Sequence, residues 1–516
     1  MKNASIILKS TSIFTSTSEN LFSGFIAIKD NKIIAVENLK LLNEYIGDNT
    51  EIFDFDDKLI CPGFVDVHCF FTGYNLNFVG QDLFNSKSKD DVINLIKEYS
   101  LSHKDYKVIL GHNLNPTLLN LNYLDSLNYS FPDVPVVLFS TGCESCWMNT
   151  YAIEKYKFTP AECHPEAIWR LLIDILSDKS SITKSFKNYM KMLNSRGITA
   201  IKEMGFDTFY GFTDILEELN DKNELTLRVS FMSQPVGYPL NLEFGKEMRK
   251  KFKSDFVKFS GYNRMTDGSI SELCADLKKT YNCENTTCRQ NIDYELIKNE
   301  TLAADKENFR FSLHAQGDAA IEKVINIYKC CKKDNNGKLL NRHAITDLEF
   351  SDPCDLETMG EIGAIAEVYP QIQSLANYDD KTKMINEKIG LIRSKNYWNR
   401  RKMIDSNVIV SCGTDLPLLI PNIPESIYNS VGGFFKDCSK PYNKFNTISI
   451  PELLTSWTKN GQFNLFNENK LGTLEKGKLA DIVVLDKDIF NTPLEEISNA
   501  KVCLTILNGK IVYKDL

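Results

Sequence analysis

The 516-residue chain has only six histidines, the side chains whose ordinary pKa lies nearest neutral pH, and each candidate metal site must draw on this short list. They are His68, His103, His112, His164, His314 and His343. Three short segments deliver a candidate group to the end of a strand. In CPGFVDVHCFFTG, residues 61–73, Pro-Gly precedes a β-rich run ending in His68. Residues two apart share a strand face, so Asp66, His68 and Phe70 point one way and Cys69 the other. In FRFSLHAQGDAAIEKV, residues 309–324, a strand ends at His314. Gly317-Asp318 then opens a helix, with Asp318 as cap or first-turn residue. In NVIVSCGTDLPL, residues 407–418, the run IVSCG carries Asp415 to a strand end before Pro417. An imidazole can bind a metal or carry a proton, and a carboxylate there can bind a metal or accept a proton from water. Each has a plainer alternative: a lone strand-end His is more often structural, and such an Asp often makes an Asx-turn or cap. Cys143 and Cys146 form Cys-x-x-Cys, but no second pair completes a zinc site, and two buried thiols are the plainer reading.

The elements that must position these groups alternate in type. Apolar strands VPVVLFS, ITAIKEM, LTLRVSFM, DFVKFS, FRFSLHA, GAIAEVYPQI and NVIVSCGTD end in polar residues. Helical patterns such as DVINLIKEYS, SITKSFKNYMKMLNSRG and AAIEKVINIYKCCKK lie between several of them. Such alternation predicts an α/β fold with a parallel sheet, and seven or eight units favour a (β/α)₈ TIM-like barrel. Its active-site face is then lined by polar residues at the C-terminal strand ends. Both chain ends read as β, with hairpin signals at Asp30-Asn31 and Asn508-Gly509. The expected organisation is a small β-sandwich domain from residues 1–60 and 446–516, with the barrel over 61–445.

Hydrophobic residues are 43% and charged residues 25%, which excludes wholesale disorder. A net charge of −8 argues against nucleic acid as the partner. No run approaches the ~20 apolar residues that span a bilayer, so no membrane partner is expected. The N-terminal MKNASIILKSTSIFTS has no convincing h-region or cleavage site, and the 14 Cys follow no framework, so a cytoplasmic location with reduced thiols is expected.

Taken in order, these segments resemble the amidohydrolase superfamily, in particular amidohydrolase family 3 and its N-substituted formamide deformylase-like members. PGFVDVHCF resembles the family's Pro-Gly-Phe-Ile-Asp-x-His-x-His, LHAQGDAAI its His-Ala-Ile-Gly-Asp-x-Ala, and GTDLPL its Gly-Ser-Asp-x-Pro. LGTLEKGKLADIVVLD, residues 471–486, resembles the C-terminal Gly-x-Leu-x-x-Gly-Lys-x-Ala-Asp segment. RGITAIKEMG (196–205) and FVKFSGYNRMTDGS (256–269) match more weakly. The resemblance implies one or two divalent metals at the barrel mouth, which lower a water's pKa to roughly 7 and polarise the scissile carbonyl. It gives Asp415 the role of proton shuttle to the leaving nitrogen. Lys258 is the counterpart of a lysine that some members carboxylate, with a surface or salt-bridged lysine as the plainer alternative. A homodimer is a family-level expectation.

Departures from the family pattern fall on the ligands. Phe70 stands where the second His of the first motif belongs. NRHAITDLEFSDPCDL, residues 341–356, resembles Arg-His-Arg-Ile-Glu-His with Asp347 in place of the last His, leaving His343 beside the site. A further family His falls on Glu144 in TGCESCWMNT, residues 141–150. Two readings stay open. In one, His68, His314, Asp347 and Asp415, with Glu144, hold zinc, or manganese or magnesium because the set is rich in oxygen. The chain is then a metal-dependent hydrolase of a non-peptide carbon–nitrogen bond in a small molecule, with Asp415 and His314 catalytic. In the other, no metal is bound, and the barrel is a metal-independent catalyst or a ligand-binding protein. Phe70, Glu144, Trp147, His343 and Tyr369 are expected in the substrate pocket, and Phe70 would suit an aromatic or hydrophobic substrate.

Overall fold

A computed structural model describes residues 3–141, 145–160, 169–175, 179–205, 211–235, 238–438 and 440–516. Eight parallel strands follow one another in chain order around a barrel: β1 (Phe64–Cys69), β2 (Ile198–Glu203), β3 (Arg228–Ser233) and β4 (Val257–Met265), then β5 (Phe311–Ala315), β6 (Ala344–Asp347), β7 (Ile365–Val368) and β8 (Ile409–Cys412). Parallel neighbours require crossovers, which helices supply. Examples are Phe212–Asp221, Leu242–Lys251, Tyr294–Lys306, Asp318–Lys329 and Pro353–Ile362. Their apolar faces pack outside the strands, with Ile321, Val324 and Tyr328 against β5 and β6 in one large cluster. The seam between β8 and β1 closes just past the strand ends. There the Asp415 amide donates to the His68 carbonyl at 2.8 Å and the Phe70 amide to that of Leu416 at 2.8 Å.

A second, mixed sheet of eight strands joins the two ends of the chain. Ile60–Pro62 pairs antiparallel with Ile482–Leu485, so N-terminal and C-terminal strands meet at the centre of the sheet. The Asn508-Gly509 hairpin forms as its sequence predicts. Both residues have positive φ, 51° and 79°, between Val502–Leu507 and Lys510–Lys514. Helices Ile450–Trp457 and Lys459–Asn464 precede this return and lie against β8 and β1.

Between β1 and β2 lies a third sheet of four strands: Gln81–Asp82, Ile109–Leu114, Val136–Ser140 and Cys146–Met148. This corrects the placing of VPVVLFS, which belongs here and not in the barrel. A strand buried on both faces carries the same apolar run in either sheet. The barrel position it vacates goes to Ala344–Asp347, four residues too short to show a strand period. Among the described residues, no helix is long and apolar enough to cross a membrane.

Candidate active site

At the C-terminal mouth of the barrel the structure brings together two histidine–carboxylate pairs. In the first, His68 Nε2 lies 3.6 Å from Asp415 Oδ1. In the second, His314 Nε2 lies 3.1 Å from Asp347 Oδ2, and the Gln316 amide donates to that same oxygen at 2.7 Å. Asp347 and Asp415 both have left-handed backbone, φ 81° and 52°, which non-glycine residues adopt at a cost. Asp347 is the last residue of β6 and Asp415 lies three residues past β8, so the turn at each sets where its carboxylate is aimed. Asp415 is 31% exposed while His68 is 5%, so solvent reaches the pair at the carboxylate.

His314 is held from its other side by Asp267, whose Oδ1 is 3.6 Å from Nδ1. Asp267 is fixed in turn by the backbone amides of Gln316, Gly317 and Asp276, each at 2.9 Å. Burial pushes the Asp267 carboxyl up to about 6, against the pull of His314 and these amides. Burial would lower His314, but Asp347, with Asp267 and Asp415, lifts it to about 9. Burial also lowers His68, with Glu367 opposing.

Beneath the mouth a polar chain runs along the barrel axis. Arg310, just before β5, donates to Asn464 Oδ1 at 2.6 Å. Asn464 donates from Nδ2 to Glu367 Oε1 at 2.9 Å. Lys202 of β2 clamps that same oxygen, and both Lys202 and Glu367 have 0% side-chain exposure. Thr346 of β6 donates to Oε2 at 3.0 Å, and His68 Nδ1 faces Oε2 at 3.8 Å. Burial alone would raise Glu367, but Lys202, then His68 and Arg310, hold it well below the carboxylate range. Burial lowers Lys202 to about 8, although Glu367 draws it upward. The motif comparison did not single out Lys202, Glu367, Asp267 or Gln316. For two of them a signal was available: a charge inside the apolar runs ITAIKEM and GAIAEVYPQI.

The remaining sequence candidates divide. Phe70 and Tyr369 both reach the site, with ring centroids 5.4 and 5.7 Å from that of His68. Tyr369, Trp398, Arg400 and Leu348 line a small recess beside Asp347. Lys258 is not brought to the mouth. It is the second residue of β4, at the opposite end of the barrel, where its ammonium contacts Asn467. His343 also lies at that end, just before β6, and stacks on Tyr328 at 5.0 Å. Trp147 belongs to the inserted sheet, donating to the Leu119 carbonyl at 2.6 Å and packing on Tyr123. Glu144 and Cys143 lie outside the described residues, and Cys146 is buried without a disulfide. Asp318 is a first-turn residue of its helix, with Gly317 at the cap, and it also ties down a loop by accepting the Lys278 amide at 2.8 Å.

The donor set at the mouth fits a divalent cation in chemistry. It offers two imidazoles and two carboxylates, with Nε2 of His68 and of His314 each turned to a carboxylate oxygen, while the unpartnered Nδ1 of each ring faces Glu367 or Asp267 behind it. A tighter group, with all donor atoms within 4.8 Å, is Asp305, Cys331 and His343 at the far end of the barrel. Its hydrogen bonds argue against a metal. The Phe311 amide donates to His343 Nδ1 at 3.0 Å, so the neutral ring carries its proton on Nε2, 2.9 Å from Asp305. Asp305 is further filled by the Asn341 amide and the Lys332 backbone N–H.

The comparisons agree with this architecture. The chain is 23% identical over 99% of its length to Protein LONG AFTER FAR-RED 3 of Arabidopsis thaliana, 92% of which is covered. It is 21% identical over 97% of its length to YtcJ of Bacillus subtilis, 98% of which is covered. The solved structure of an uncharacterized metal-dependent hydrolase from Pyrococcus horikoshii shares the fold, with a TM-score of 0.74 at 18% identity. That match covers 95% of this chain and 99% of the other. The model of the amidohydrolase family matches residues 51–513. The barrel, the polar groups at its mouth and this match over most of the chain lead to one conclusion: the chain belongs to the amidohydrolase family and is a hydrolase.

Proposed function

We propose that the protein hydrolyses a non-peptide, amide-type carbon–nitrogen bond in a small molecule, with a divalent cation held by His68, His314, Asp347 and Asp415. The observation that carries this reading is the pairing of each buried imidazole with a carboxylate at the mouth. A cation bound there supplies Lewis acidity to the scissile carbonyl and an acidified water. Asp415 is the more exposed carboxylate of the set, placed to take the proton of the attacking water and pass it to the leaving nitrogen. Phe70 and Tyr369 form an apolar wall beside His68 that suits a hydrophobic or aromatic substituent. The oxygen-rich set favours manganese or magnesium more than an all-histidine site would.

One observation favours a metal-free alternative. His314, lifted to about 9 and flanked by Asp267 and Asp347, is a protonated acid at neutral pH when no cation is present. Elemental mass spectrometry separates the two readings, on protein purified without chelator and after loading with Mn²⁺, Zn²⁺ or Mg²⁺ and desalting. One or two equivalents, reduced in Asp415→Ala, are expected. Asp415→Asn should fold normally and lose about 10²–10⁴-fold in amide hydrolysis, the usual contribution of a positioned general base. Absence of metal under every loading, or full activity in Asp415→Asn, would overturn this reading.

A further inference from the structure

A fully buried ion pair on the barrel axis needs an explanation, because apolar side chains of similar volume are often as stable. The pair is Lys202 and Glu367, both at 0% exposure. The acceptor sites of Glu367 show what it is for. Oε1 is taken by the Lys202 ammonium and by Asn464 Nδ2 at 2.9 Å. Oε2 takes the Thr346 hydroxyl at 3.0 Å. The acceptor capacity left on Oε2 faces His68 Nδ1 at 3.8 Å, a buried atom without a hydrogen-bond partner. Closure by roughly 0.8 Å would make this an ordinary N–H···O bond.

We propose that Glu367 is a positioning residue that holds His68 in the tautomer protonated on Nδ1, and that Lys202, bound to the other carboxylate oxygen, holds Glu367 in place. The consequence lies on the other side of the ring. With its proton on Nδ1, His68 presents a lone pair from Nε2 toward Asp415 Oδ1, 3.6 Å away. Two acceptors then face each other with no proton between them, which is how two ligands of one cation stand. A histidine whose second ring nitrogen donates to a carboxylate is oriented and made more basic as a ligand. Register supports the assignment: Thr346 pairs with Glu367 and Glu367 with Ser411 across β6, β7 and β8, while Asn464 also donates to Ser411 Oγ at 2.9 Å. The carboxylate is therefore fixed by three strands and a helix, not by a mobile side chain. This inference rests on the metal reading above for its purpose, but its geometry can be tested without metal.

The test is the ¹⁵N spectrum of the full chain labelled at histidine, with His68→Gln identifying the signals of His68. The wild type should show the Nδ1–H form. While Arg310 keeps its hydrogen bonds to Asn464, the double variant Lys202→Met/Glu367→Leu removes both members of the pair together. It should lose that form and bind Mn²⁺ about 10–100-fold more weakly in a titration, the usual effect of removing a ligand's orienting partner. An Nε2–H ring in the wild type overturns the inference from one spectrum, even if the double variant does not fold. An unchanged tautomer and unchanged Mn²⁺ affinity in a folded double variant would do the same. If the wild type binds no metal but shows a Glu367-dependent Nδ1–H ring, the metal reading fails and the positioning role stands.

Discussion

Removing a carboxylate from water costs free energy unless donors replace the hydration it loses. Three of the buried carboxylates at and beneath the barrel mouth are each satisfied differently. Glu367 has an ammonium, Asp267 has three backbone amides, and Asp66 has two amides and the Thr414 hydroxyl. Asp66 is neutralised least, and burial pushes its carboxyl from 3.8 up to about 7. Between those values the folded chain keeps a proton that the unfolded chain releases. Asp66 therefore costs stability as pH rises through that window, and none below it. Asp66→Asn removes the ionisation but keeps an acceptor for the Thr414 and His68 amides. In denaturant titrations with chelator present, the variant should gain about 2 kcal/mol on the wild type between pH 5 and pH 7.5. A difference that does not change with pH would refute a raised Asp66. At this scale the sequence pointed to His68, His314 and Asp415 because each ends an apolar run, and to Asp347 only through the resemblance of NRHAITDLEF to a family stretch. It misplaced Lys258 and His343, because a motif does not say which end of a strand a residue occupies when the strand length is unknown. β4 runs nine residues and carries Lys258 at its start.

At the scale of elements, the site depends on how closely β8 approaches β1. Gly413 follows β8, and a Cβ there would stand 2.8 Å from the His68 Cβ and 3.1 Å from its backbone nitrogen. Backbone cannot yield as the end of a flexible side chain can. Gly413→Ala must therefore push β8 outward, moving Asp415 away from His68. The expected loss of stability is about 1–3 kcal/mol, as for other overpacked interiors. Displacement near 1 Å at a reacting group can cost about 10²-fold, so Mn²⁺ uptake and any hydrolysis should both fall sharply. Wild-type stability together with wild-type Mn²⁺ uptake would show that the seam does not set the site. The barrel itself was legible, since seven of its strands are bounded apolar runs separated by helices. The inserted sheet was not. Val136–Ser140 is apolar on both faces, as a barrel strand is, and the two edge strands of its sheet, Gln81–Asp82 and Cys146–Met148, are two and three residues long. Strand pairing, and not composition, assigns such a segment to its sheet.

Across the whole molecule, the terminal sheet and the barrel share one buried ionic joint. Arg228 opens β3 at the end of the barrel away from the site, and its guanidinium grips Asp481 through Nε at 2.7 Å and Nη2 at 2.9 Å. Asp481 immediately precedes Ile482–Leu485 and also accepts the amide of Asn508, the hairpin residue, at 2.8 Å. Arg228 reaches Asn508 Oδ1 itself at 3.3 Å. Chain segments more than 250 positions apart are thereby tied together through a planar, two-point contact that lysine could not copy. Exposure of 2% for the arginine and 3% for the aspartate side chain leaves no water to replace a lost partner. Asp481→Asn strands a buried guanidinium, and Arg228→Met strands a buried carboxylate. Each should lower unfolding free energy by about 3–5 kcal/mol, the usual cost of removing one member of such a pair. The double variant Arg228→Met/Asp481→Leu buries no lone charge and should lose less than either single change. Urea unfolding of the four proteins decides it. A double variant that loses the sum of the two single effects would show that the arginine and aspartate act independently and that other contacts dock the sheet on the barrel.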